Sequence, residues 1–131
     1  MIGVKEVAFT GYPVTDMDRA REFYGETLGL EESWVLDDKG KVHWVEYDVA
    51  GHTLALALSD GAWKPGPDGA GICLEVEDLD LAVTKLEAAG VSIAMPIGEF
   101  PMCRMAVISD PDGNGICLHQ KKPNHPECAD Q

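Results

Sequence analysis

The sequence predicts an α+β fold built from one βαβββ unit used twice. Two observations carry this. Val14-Thr-Asp16-Met-Asp18 recurs as Val76-Glu-Asp78-Leu-Asp80, an offset of 62, and Leu28-Gly29-Leu30 answers Ala89-Gly90-Val91, an offset of 61. Each copy also shows a switch of apolar periodicity, from alternation to a spacing of three and four and back to alternation. The predicted organisation is a single domain over 1–122, with module one at 4–59, a linker at 60–69 and module two at 70–120. A polar tail with two prolines follows at 123–131, and its composition is that of a segment without fixed structure.

In module one, Lys5 to Tyr12 reads as a strand. Asp16 is a natural N-cap, because its side chain can accept from the first unpaired helical N–H groups. Met17, Ala20, Tyr24 and Leu28 form the apolar stripe of the helix that follows, and Gly29 ends it. Strands follow near Glu31–Leu36, Val42–Asp48 and His52–Leu58, with Gly51 supporting the last turn. Asp60 to Gly69, with Pro65 and Pro67, links the copies.

In module two, Ile72–Val76 is the first strand, and Asp78 caps a helix whose Leu79, Ala82, Val83 and Leu86 face inward before Gly90 stops it. Val91–Met95, Arg104–Ser109 and Ile116–His119 complete the copy. The last two strands flank Asp110-Pro-Asp-Gly-Asn114. In that turn Pro111 fixes φ, Asp110 and Asp112 can bond their own backbone, and Gly113 tolerates positive φ.

Composition narrows the function classes. A chain of 131 residues, 45% hydrophobic, is long enough for a real core. The net charge of −13 argues against nucleic acid and against anionic membrane surfaces. No apolar run is long enough to span a bilayer. No basic N-terminal region followed by an apolar stretch precedes the first strand, so the expected location is cytoplasmic, with no secretion signal. Cys73, Cys103 and Cys117 fall in strands, as expected of reduced, partly buried small hydrophobes, and Cys128 lies in the tail. No Cys-x-x-Cys pair suggests structural zinc.

Asp16 with Ala20, Phe23-Tyr24 and Leu28-Gly29, then Asp78 with Ala82 and Gly90, and finally Asp110-Pro-Asp-Gly-Asn stand in an order that resembles the vicinal oxygen chelate superfamily. That group includes glyoxalase I, bleomycin-resistance proteins, extradiol dioxygenases and methylmalonyl-CoA epimerase. The resemblance covers residues 4 to 120. It implies a curved mixed sheet, a cup, with the helices on its outer face, and a homodimer. The predicted edge strands around Val7 and Cys73 suit pairing of that kind.

The resemblance also implies four metal-ligand positions on the cup face, usually His, Glu, His, Glu or near variants. In this chain they correspond to Phe9, to Ala55 or Ala57, to Gly71 and to Cys117. One thiol is too few for a catalytic divalent ion, which needs about three protein ligands. No metal cofactor is therefore expected, and metal-dependent glyoxalase I activity is not expected either.

Alternation places Gly71, Cys73 and Glu75 on one face, and Cys117 with His119 on one face of the last strand. Glu75, Cys117 and His119 could then line a polar pocket, sit hydrated at strand ends, or hold a different metal. Arg104 either grips an anionic ligand or forms a surface salt bridge. Phe9, Trp34, Trp44, Phe100, Met102 and Met105 supply pocket walls or core. His43, His52 and His125 carry no ligand-like spacing. The expected ligand pocket is Phe9, Ala57, Gly71, Cys73, Glu75, Arg104, Cys117 and His119.

Three functions remain open from the sequence: a metal-free protein that sequesters or senses a small molecule, an enzyme using Glu75 or His119 as acid–base groups in the same cup, and a metal-dependent lyase, isomerase or dioxygenase.

Overall fold

The computed structural model describes residues 3, 5–69 and 71–123. The expectation for the tail falls largely on 124–131, outside the described residues. The chain divides into two compact units, Met1–Pro65 and Gly66–Gln131, with the division inside the linker. Each unit is a βαβββ module, and the fold class is α+β.

The first unit contains β1 (Thr10–Val14), α1 (Met17–Arg21), β2 (Glu31–Asp38), β3 (Lys41–Val49) and β4 (His52–Leu58). Its open mixed sheet has the order β1-β4-β3-β2, with β1 parallel to β4 and the other pairs antiparallel. The second unit contains β5 (Cys73–Glu75), α2 (Leu79–Ala88), β6 (Ile93–Glu99), β7 (Cys103–Ser109) and β8 (Gly115–Lys121). Its sheet repeats the pattern as β5-β8-β7-β6, with β5 parallel to β8. Among the described residues, no helix is long and apolar enough to cross a membrane.

The helix signals act as the sequence implies. Asp16 Oδ1 accepts from the Arg19 N–H and Asp78 Oδ1 from the Leu81 N–H, each at 3.0 Å. Gly29 and Gly90 follow the helices at φ 75° and 82°, where a side chain would be strained. Ala50-Gly51 and Lys39-Gly40 both take positive φ, as two-residue hairpin loops require.

Three details depart from the sequence reading. First, β1 begins at Thr10 rather than Lys5, because its partner β4 begins at His52 and pairing starts at Thr10 with Leu54. Second, α1 passes into a π-helical segment, Glu22–Thr27, in which the Leu28 N–H reaches back to the Phe23 carbonyl at 2.9 Å. The wider turn brings adjacent Phe23 and Tyr24 into the core together. Third, β6 runs through Pro96 to Glu99. It is an edge strand with register shifts there, so the missing N–H of proline is tolerated.

Each helix covers one face of its own sheet. In the first unit that side holds Tyr12, Val14, Tyr24, Val45, Tyr47, Leu54 and Leu56, all buried. In the second it holds Ala106, Ile108, Ile116 and Leu118 against Leu79, Val83 and Leu86. The Asp110 turn closes β7 to β8. Asp110 Oδ1 accepts from the N–H groups of Asp112 and Asn114, and its Oδ2 accepts from Asn114 Nδ2, at 2.8–2.9 Å. Asn114 Oδ1 in turn accepts from the Gly66 N–H, tying the start of the second unit to this turn. Asp110 and Asn114 are both buried, so the motif is structural.

Candidate functional site

The face of each sheet that its own helix leaves uncovered carries the candidate chemistry, and the two faces differ. In the first unit, registered pairs place Gly11, Pro13, Ala55, Ala57, Trp44, Glu46, Trp34 and Leu36 on that face. Small residues occupy the middle and aromatic residues stand on them. Phe9, just before β1, meets Trp44 edge-to-face at 5.1 Å between centroids. Trp63, from the linker, lies directly over Gly11, so that a Cβ at Gly11 would approach its ring to 3.1 Å and the Phe9 ring to 3.3 Å. Trp34, Trp63, Leu36 and Phe9 remain 52%, 46%, 45% and 44% exposed. Trp44 Nε1 donates to Glu46 Oε2 at 2.8 Å, giving this shelf one oriented carboxylate.

The corresponding face of the second unit is polar and sulfur-rich. Cys73 and Glu75 of β5 stand beside Cys117 and His119 of β8 in exact parallel register, and Met105 of β7 stands opposite His119. Glu75 Oε1 contacts His119 Nδ1 at 2.5 Å, and Glu75 Oε2 accepts from the Lys121 N–H at 2.8 Å. Burial pushes the Glu75 carboxyl up, but the hydrogen bonds from His119 and from the Lys121 backbone outweigh it and hold it below its usual range. The carboxylate fixes the imidazole, as an orienting acid does for a general base. Next to this pair the Cys73 and Cys117 sulfurs lie 2.7 Å apart. Although the residue as a whole is exposed, desolvation of its sulfur by the groups around it, then the hydrogen bond to Cys117, raises the Cys73 thiol well above its normal value.

Of the residues expected to line a pocket, Glu75, His119, Cys73 and Cys117 come together, and Gly71 lies exposed just before them. Phe9 and Ala57 belong to the first unit's face, where Ala57 pairs with Trp44. Arg104 lies elsewhere. Its neighbours Cys103 and Met105 share the His119 side, whereas Arg104 pairs with Gln120 and points to the helix side. There its guanidinium grips the Asp80 carboxylate at 2.8 and 3.1 Å and Glu99 at 2.5 Å, so it serves as a salt bridge rather than as an anion clamp. Cys73 is exposed rather than partly buried, because β5 is a short edge strand. His43 is exposed on β3, and His52 bonds Thr10 Oγ1 at 3.0 Å. Trp63 was not singled out from the sequence, since a tryptophan in a Gly- and Pro-rich linker carries no periodic signal. The Cys73–Cys117 contact was accessible in principle, because the first and last strands of a βαβββ repeat can pair in parallel.

The positions that correspond to the metal ligands do not fit a divalent ion. Phe9, Ala57 and Gly71 offer no donor, and Cys117 is engaged with Cys73. Among the described residues, no group of three His, Cys, Asp or Glu side chains is placed to share an ion.

Comparison with known proteins fits this architecture. TnmS3, an antibiotic binding protein from Streptomyces sp. CB03234, is 30% identical with a TM-score of 0.71, covering 93% of this chain and all 100% of that one. A member of the glyoxalase/bleomycin resistance protein/dioxygenase superfamily from Sphaerobacter thermophilus DSM 20745 is 29% identical with a TM-score of 0.72, over 90% of this chain and 98% of that one. Biphenyl-2,3-diol 1,2-dioxygenase of Sphingomonas paucimobilis is 29% identical over 140 aligned positions. Those take in 96% of this chain but 44% of the dioxygenase, so the chain spans less than half the length of that relative. The profile of the Glyoxalase/Bleomycin resistance protein/Dioxygenase superfamily matches residues 6–118, and the chain belongs to that superfamily.

Proposed function

We propose that this protein binds a flat, largely apolar small molecule on the aromatic face of its first unit, without the family metal and without turning the ligand over. The observation that carries the reading is the open face on which Phe9 and Trp63 lie over Gly11 while Trp44 and Trp34 stand beside Ala57 and Glu46, with Phe9, Trp34 and Trp63 each roughly half exposed. Exposed aromatic groups gathered over small residues are a common form of ligand wall, and they cost free energy in water unless something covers them. Glu46, held by the Trp44 indole, supplies one polar anchor. That one relative is an antibiotic binding protein supports a small-molecule ligand. Sequestering or sensing such a molecule is the role this implies.

Titration with 8-anilinonaphthalene-1-sulfonate and with a panel of polycyclic aromatic antibiotics, read by tryptophan fluorescence and calorimetry, tests it. Saturable binding with the compound recovered unchanged is expected. Conversion of any bound compound, or no saturable binding to any of them, overturns it.

A second reading has its own observation. The Glu75–His119 contact is the geometry of an oriented general base, and it supports an acid–base enzyme of the lyase, isomerase or dioxygenase type. Loss of turnover in His119→Gln, were turnover found, separates it from the first.

The reading also takes the chain as a homodimer in solution. Residues 5–9 carry no strand pairing within their own unit, Val7 is 70% exposed, and β5 is a short sheet edge. Sedimentation equilibrium checks this, and a monomer at micromolar concentration would refute it.

A further inference from the structure

We propose that Cys73 and Cys117 form a reversible intramolecular disulfide, a modification site on the open face of the second unit. The proposal goes beyond ligand binding and stands on different residues.

The geometry comes from the sheet. Cys73 and Cys117 are registered partners on adjacent parallel strands, so their side chains leave the same face. Neighbouring strands lie about 4.8 Å apart, inside the roughly 4.4–6.8 Å between Cα atoms that a disulfide spans. The sulfurs are already in contact at 2.7 Å, closer than two unbonded sulfurs rest. Bond formation therefore asks for no rearrangement of the backbone beyond a small shift of β5. That strand has three residues and lies at the sheet edge, where such a shift is least resisted. Cys73 is exposed and Cys117 half-buried, so a small oxidant can reach the pair. Cys103, the third cysteine of this unit among the described residues, stands opposite Lys121, four positions along β7 from the Val107 that faces Cys117.

The oxidant is a low-molecular-weight disulfide. The Cys73 S–H is directed at Cys117 Sγ, which leaves Cys117 to make the first attack, as its thiolate. Cys117 Sγ attacks one sulfur of the small disulfide, forming a mixed disulfide and expelling one thiolate. Cys73 then loses its proton, attacks Cys117 Sγ and expels the second thiolate. The two thiol protons end on the two leaving thiolates. The protein dithiol is oxidised by two electrons, and one small disulfide is reduced to two thiols. The new bond would lock β5 to β8 beside the Glu75–His119 contact, the next registered pair on the same face.

The test is redox titration of the full chain with glutathione and glutathione disulfide at neutral pH, followed by alkylation, intact mass and peptide mapping. The expected product has lost two hydrogens and two of its four alkylatable thiols, carries no glutathionyl group, and yields a Cys73–Cys117 cross-linked peptide. Cys73→Ser should instead trap one glutathionyl group on Cys117, while Cys103→Ser and Cys128→Ser should leave the cross-link intact. All four thiols surviving in the wild-type chain, glutathionylated Cys117 without a cross-link, or a cross-link through Cys103 or Cys128 would each overturn the proposal. The wild-type mapping decides the matter even if a serine variant fails to fold.

Discussion

The two modules share a plan and differ in what they expose. Caps, helix-terminating glycines, strand order and the parallel pairing of first and last strands are the same in both. The helix-side cores already diverge. Module one packs Tyr12, Phe23, Tyr24 and Tyr47 around one another, with Tyr24 central at 5.1–6.4 Å from the other three rings, whereas module two is aliphatic. The open faces diverge further, one an aromatic shelf, the other a dithiol beside a carboxylate–imidazole pair. Residues that specify the backbone recur in both modules, and residues free of that duty differ between them. On the readings proposed above, ligand contact belongs to one module and polar or redox chemistry to the other.

The largest effect should come from the core difference. Tyr24 is fully buried, so Tyr24→Ala should lower stability by about 3–5 kcal/mol. Leu86→Ala, at a slightly exposed position of α2, should fall toward the lower end of about 2–5 kcal/mol. Urea denaturation checks both, and equal losses would mean that the aromatic cluster adds nothing beyond ordinary burial. The same core holds a defect. Tyr47 Oη is buried with no hydrogen-bond partner among the described residues, and burial, then the nearby Glu32 charge, push its phenol up to about 12. Tyr47→Phe should therefore be neutral or gain about 1 kcal/mol.

The division of labour between the faces is sharpened by ligand binding. Trp44→Ala should weaken 8-anilinonaphthalene-1-sulfonate binding about tenfold, equivalent to roughly 1.4 kcal/mol. Gly11→Ala should weaken it as well, by forcing the Trp63 and Phe9 rings off the strand. His119→Gln should leave it unchanged. Loss of binding in His119→Gln with none in Trp44→Ala would reverse the assignment.

The shared plan has its own test, of smaller size. Asp16→Ala and Asp78→Ala remove matching caps and should each cost about 0.5–2 kcal/mol, with similar values for the two. A cap that costs nothing in one module would show that the repeat is one of sequence and not of energetics.

How much of this was legible in the residues follows from the range of the signal. Asp16, Gly29, Asp78, Gly90 and the Asp110 turn act on their immediate neighbours, so the modules could be read directly. The Cys73–Glu75 and Cys117–His119 faces were legible through alternation, but that the two strands are adjacent is a long-range fact. Arg104 shows the limit. Alternation from Met105 opposite His119 would have sent it to the helix side, but without the pairing of β7 to β8 neither face could be chosen. The π-helical turn and Trp63 were illegible, because each depends on packing that no local pattern encodes.

The smallest effect concerns the polar face alone. Glu75 in the folded chain titrates below its ordinary value of 4.5, so its contribution to stability is present above that pH and is lost as pH falls through the folded value. The Glu75 side chain is 44% exposed, so solvent screening keeps the contribution under about 1 kcal/mol. Glu75→Gln should therefore be slightly less stable than wild type at about pH 5, above the range in which the carboxylate is protonated, with the gap closing as pH falls below that. Asp80 and Glu99 are held low by their hydrogen bonds to Arg104 and lose stability over the same acid range in both proteins, so they cancel in the difference. Thermal melts of the two proteins from neutral to acid pH measure it. A gap that goes on widening below about pH 5, where the carboxylate itself takes up its proton, would mean that the contact does not depend on the ionised Glu75, and the carboxylate–imidazole reading of this face would have to be abandoned.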